Sequence, residues 1–238
     1  MSSFQEKFHL EGGELIRQAT FGLNDGVVSI FALLAGVAGA GQDSETILIT
    51  LLAATIAGAL SMAAGEYVSS KSEKDFYRHE IERERLEIEL CPWVEKEELR
   101  LIYRNKGFEG ELLEEIVDRL SEDKNTWTRE MVMAELGVAG VEEGGEIKAS
   151  LVIFFAFIGG AAFPTLPYLI CTPMDIGPRL IFYLATAVTV FGLFSAGALK
   201  KFVTGVNWLK SGLEMLAVGF FAFSISYIIG LFIPSASM

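Results

Sequence analysis

Five stretches of the chain, at roughly 20–41, 46–68, 149–171, 179–199 and 211–234, are each about 20 residues long and predominantly apolar. An α-helix of that length crosses the hydrocarbon core of a bilayer. Within that core only helices and closed barrels satisfy their own backbone groups. The pattern therefore predicts an all-α integral membrane protein with five transmembrane helices. Composition adds a second constraint. Apolar residues make up 51% of the 238, yet the formal net charge is −12. The two facts fit a chain that segregates them: residues 71–148 hold 22 of the 31 acids and 13 of the 19 bases. Three regions follow. Residues 1–70 are an N-terminal segment with spans one and two, 71–148 an acidic domain, and 149–238 spans three to five. An acidic block argues against nucleic acid, which needs a basic footprint, and in favour of cations.

The bases set the orientation. With the N-terminus inside, the outer segments are 42–45, 172–178 and the final "PSASM", and Arg179 is the one base beside an outer surface. The other 18 bases then lie on the cytoplasmic side, so the N-terminus and the 71–148 domain are expected in the cytoplasm. "MSSFQEKFHLEGGELIRQ" lacks the shape of a signal peptide. "AGVAGAG", "AATIAGALSMAAG" and "FIGGAAF" supply small residues for close helix approach, and Pro164 and Pro167 are expected to bend or break span three.

The acidic domain reads as helical. "SEKDFYRHEIERERLEIEL" continues span two to about Leu90, and Pro92 suits the first turn of a new helix at about 93–105. "GELLEEIVDRLSED" places Leu112, Leu113, Ile116, Val117 and Leu120 on one stripe. "NTWTREMVMAELG" gives a further helix with Asn125 or Thr126 as cap and Gly137 as stop, and "VAGVEEGGE" links back to the membrane. Glu84 and Glu87 are three apart, as are Glu95 and Glu98; Met131 and Glu135 are four apart. Each pair shares a helix face. Converging carboxylates without compensating bases repel and call for a cation. A thioether adds preference for a transition metal such as Fe²⁺. Solvated helix faces and a packed methionine are the plainer alternatives.

Three acids fall within the spans, Asp25, Glu66 and Glu214, and Glu214, near the start of span five, is assigned no role. Asp25 stands in "FGLNDGVVSIFALLAGVAGA", and Glu66 lies one turn after Met62 on span two. A charge at membrane depth costs about 2.5–3.5 kcal/mol on insertion scales and usually marks an ion or proton path. An N-terminal cap explains Asp25 more plainly, and an interfacial acid explains Glu66. Glu14 precedes span one, either guarding an entrance or lying on the surface. A single Glu-x-x-His spacing occurs, at Glu6 and His9, where a ferritin-like site uses two, and no Walker A loop or nucleophile–base set is present, which argues against an enzyme and against ATP-driven pumping.

"HLEGGELIRQATFGLNDGVVSIFALLAGVAGA", "GALSMAAGEYVSSKSEKDFY" and "FFAFIGGAAFPTLPYLI" together resemble the vacuolar iron transporter family, and the resemblance runs end to end. It implies a homodimer that exports Fe²⁺, and often Mn²⁺ or other divalent metals, from the cytosol in exchange for protons. No prosthetic group is implied; the metal is cargo. It further implies that Asp25 and Met62 line a path between protomers, with Glu66 in the same motif. Metal binding in the cytoplasmic insert is implied for Glu84, Glu87, Glu95, Glu98, Met131 and Glu135. Where a second methionine can follow the first, this chain has Val132, with Met133 next. The membrane is a prokaryotic cytoplasmic membrane or a vacuolar one. A membrane-anchored metal sensor or sequestering protein is the competing reading.

Overall fold

A computed structural model describes residues 3–137, 144–174, 176–205 and 207–233, all helical or in short connections. Eight α-helices follow one another: α1 (Ser3–Gly39), α2 (Ser44–Leu90), α3 (Pro92–Asn105), α4 (Gly110–Ser121), α5 (Lys124–Leu136), α6 (Gly145–Cys171), α7 (Pro178–Thr204) and α8 (Trp208–Phe232). Five of them, α1, α2, α6, α7 and α8, are long and apolar enough to cross a membrane. The chain divides into two compact units, Met1–Tyr67 with Glu146–Met238, and Val68–Gly145. The linker expected at 138–143 and the final "PSASM" lie outside the described residues.

Three expectations need correction. α1 begins at Ser3, so the N-terminal segment runs directly into span one. "FQEKFHLEGGELIRQ" holds no proline, so nothing stops the helix. Asp25 is therefore well inside a helix and cannot be its cap. Of the bend or break expected at Pro164 and Pro167, the break does not occur, since α6 runs through both. The α5 cap is Asp123, whose side chain accepts the Thr126 backbone N–H at 2.9 Å, rather than Asn125 or Thr126. An aspartate carboxylate is the stronger acceptor for an orphan N–H.

In the first unit, close helix approach replaces side-chain bulk. Lipid offers as apolar a surface as leucine does, so packing without gaps holds spans together. A β-carbon at Gly22 would stand 2.7 Å from the carbonyl oxygen of Ile153. One at Gly26 would overlap the Phe157 carbonyl, and one at Gly160 the Leu23 carbonyl. Those three glycines bring α1 and α6 into backbone contact. Gly230 does the same for α8 against Gly36 of α1. Between these seams Val27, Ile30, Phe31 and Leu34 fill a core shared with Phe157, Ala161, Tyr168 and Ile181. Phe223 of α8 packs on Phe31 of α1 and Phe182 of α7, with ring centroids 4.8 and 6.2 Å apart.

The turn between α1 and α2 is set by Gly41, at φ 75°, and by Asp43, which accepts the Thr46 N–H at 2.8 Å. The α2 helix has 47 residues. At 1.5 Å per residue it is about 70 Å long, more than twice the hydrocarbon thickness. Its apolar half shows a buried stripe at Ile47, Leu51, Thr55 and Ala59, continued by half-buried Met62 and Glu66.

In the second unit, Ile88, Leu99, Leu113, Val117, Trp127 and Met131 form a separate core. Pro92 opens α3 and Gly137 closes α5 at φ 70°, as the sequence predicts. The α4 stripe is narrower than expected, since Leu112 is exposed while Leu113 and Val117 are buried. Ion pairs bind the helices at the rim: Arg100 reaches Glu114 through Nε at 2.7 Å and Nη2 at 2.8 Å, and Lys96 reaches Asp118 at 2.7 Å.

Neighbouring glycines test the packing account. Gly160→Ala is expected to lower stability by about 1–3 kcal/mol, the usual cost of overpacking. Gly159→Ala, with nothing within 4 Å of the added carbon, should be neutral or slightly stabilising. Thermal unfolding in detergent measures both; equal shifts contradict the seam.

Candidate functional site

The acids fall into two groups, one in each unit. In the spanning unit Asp25 lies on α1 and Met62 and Glu66 on α2. Asp25 is exposed, on the side of α1 away from the buried Gly26 and Val27. The Ser29 hydroxyl donates to the Asp25 backbone carbonyl, which leaves the carboxylate out of that bond. Met62 packs against the apolar core. Glu66 accepts a hydrogen bond from Nε2 of Gln18, across from α1. Within one chain, then, Glu66 and Met62 face inward while Asp25 faces out. The side chain of Glu14 lies outside the described residues.

Gln18 is the residue that sequence reasoning missed. It is 1% exposed, the most deeply buried amide among the described residues. The sequence offers only a weak signal for it, an amide just before span one, where polar residues are common.

In the second unit the six expected residues come from three helices. Glu84 and Glu87 lie on α2, Glu95 and Glu98 on α3, and Met131 and Glu135 on α5. Glu84 is 5% and Glu95 7% exposed, whereas Glu98 and Glu135 are open to solvent. Met131 is fully buried in the core, and Met133 is half exposed. No hydrogen-bond partner meets Oε1 of Glu84. Its carboxyl is pushed up to about 8, first by burial and then by repulsion from Glu135, Glu95, Glu87 and Glu98. Burial also raises Glu95, with Glu98 and Glu87 adding to it and a hydrogen bond with Glu84 offsetting part. Glu135 is raised by burial, then by Glu98 and Glu95. Arg83, on the same helix, pairs with Glu87 through Nε at 3.4 Å. These carboxylates sense one another, yet among the described residues no three Asp, Glu, His or Cys side chains form a ready-made coordination shell.

Comparison with known proteins decides the family. The VIT family profile matches residues 16–231. The chain is 32% identical over 220 residues to "Vacuolar iron transporter 1" of Arabidopsis thaliana, covering 92% of this chain and 86% of that one. The chain belongs to the VIT family. It is 34% identical over 222 residues to "Vacuolar iron transporter" of Toxoplasma gondii (91% and 74%), and 31% identical over 222 residues to "Vacuolar iron transporter 1" of Tulipa gesneriana (93% and 88%). Membership makes this VIT-family chain a membrane transporter and not an enzyme.

Glu84 gives a pH test on the metal-free protein. Its folded-state value lies above the ordinary 4.5, so between about 4.5 and 8 the folded state holds a proton that the unfolded state has lost. That contribution is complete below 4.5 and is lost as pH rises through about 8. In chelator, wild-type thermal stability should therefore fall between pH 5 and pH 8, and Glu84→Gln should flatten the fall. Equal slopes for the two proteins contradict the burial argument.

Proposed function

We propose that this protein is a proton-coupled exporter of divalent metal, Fe²⁺ first and Mn²⁺ among the alternatives, acting as a homodimer. The observation that carries the reading is Asp25: a carboxylate on the exposed side of a spanning helix. Left against lipid it costs about 2.5–3.5 kcal/mol. A second copy of α1 and an ion between the copies remove that cost together. The names of the relatives support iron as the cargo.

In the proposed cycle the second unit faces the cytosol, where the bases of the chain concentrate. Glu84, Glu87, Glu95, Glu98 and Glu135 gather the metal and raise its local concentration. Met131, buried beside them in the core, offers a thioether that favours a transition metal. The ion then moves to Asp25 and Met62, with Glu14 at the entrance. A proton arriving at Asp25 or Glu66 from the far side weakens the site, because a protonated carboxylate is a poor ligand, and the metal leaves.

Reconstituted liposomes test this directly. Fe²⁺ movement should accelerate with an opposing proton gradient and slow when an ionophore collapses it. Asp25→Ala should lower transport at least about tenfold while metal stays on the second unit. Transport indifferent to the gradient removes proton coupling from the account. An Asp25→Ala variant that transports like wild type removes Asp25 from the path, and a wild-type protein that binds metal but moves none favours a sensor or store.

A further inference from the structure

We infer that Gln18 is a positioning residue for the transport path: it holds the Glu66 carboxylate on the inward stripe of α2, one turn beyond Met62, without neutralising it. This deepens the transport reading above and rests on it. The contact joins residues 48 apart in sequence, and it ties together α1 and α2, the two helices that carry Asp25 and Met62. The amide can be turned only one way. Its oxygen against a carboxylate would set two acceptors face to face, so Nε2 must point at Glu66.

Burial makes the residue costly and therefore informative. At 1% exposure the amide has left water, a transfer that is unfavourable unless hydrogen bonds replace those lost. An apolar side chain of the same length packs α1 equally well. The amide does what methionine or leucine cannot, by donating to a carboxylate. It also does what lysine or arginine cannot. A cation at position 18 would hold Glu66 at least as firmly, but it would cancel the charge that a divalent metal needs and repel the metal as well. A neutral donor fixes the direction of the carboxylate and adds no positive charge beside it.

A double-mutant cycle on Fe²⁺ transport in liposomes tests the inference. Gln18→Met keeps length and packing and removes the donor. It should raise KM for Fe²⁺ about tenfold, the effect of losing one charge-assisted hydrogen bond, and leave kcat nearly unchanged. In a Glu66→Gln background the same substitution should change neither constant further. A packing role would lower kcat equally in both backgrounds, and that result overturns the proposal. Gln18→Lys retains a donor and adds charge; a folded Gln18→Lys protein with wild-type KM overturns it too. A wild-type protein that moves no Fe²⁺ fails the transport reading instead. Equilibrium Co²⁺ binding to a chain carrying Glu84→Gln, Glu95→Gln and Glu135→Gln then reads the same cycle without transport. Binding weakened by Gln18→Met only when Glu66 is present supports the positioning role, and binding that is absent, or unmoved by Gln18→Met, overturns it.

Discussion

One carboxylate on the wrong side of a helix governs this protein. Asp25 lies well inside α1 yet faces away from the core of its own chain. A carboxylate at membrane depth is costly, and that cost is the ground for the role proposed for Asp25. Its neighbours follow from it. Gly22 and Gly26 seat one face of α1 directly on the α6 backbone, which fixes the rotation of α1 and so directs Asp25 outward. Gly36 and Gly230 repeat the arrangement against α8. A helix held by backbone contacts at both levels has little freedom to turn its acid inward.

The second unit applies the opposite device. There the acids are not dispersed against lipid but gathered from α2, α3 and α5 over a small apolar core. Arg100, Lys96 and Lys124 pair with Glu114, Asp118 and Glu89 at the rim. These bases thus serve the fold, and among the described residues no ion pair reaches Glu84 or Glu95. Their protons are held by burial and by each other. The proposed metal would take the place of those protons.

Much of this was legible in the residues. Five apolar runs and one acidic block define the helices, because length and polarity alone decide what can cross a bilayer. Pro92 and Gly137 mark helix ends because each has a backbone requirement that neighbours cannot change. Other features depended on tertiary placement. The exposure of Asp25 follows from which glycines touch α6, and no periodicity reveals that. Leu112 joined the apolar stripe by spacing but not in three dimensions, since α3 and α5 cover a narrower face than the helix offers. Gln18 escaped notice because an uncharged polar residue near a span end is unremarkable until its partner is seen. Met131 read equally as core or ligand, and its complete burial places it in the core beneath the acids.

The central claim is that metal passes beside Asp25 where two copies meet. Anomalous diffraction from crystals grown in lipid with Co²⁺ measures this most directly. The account predicts a peak beside Asp25, shared by two copies and flanked by Met62, in addition to any peak among Glu84, Glu95 and Glu135. Anomalous density confined to the glutamates, with Asp25 facing lipid alone, would contradict it.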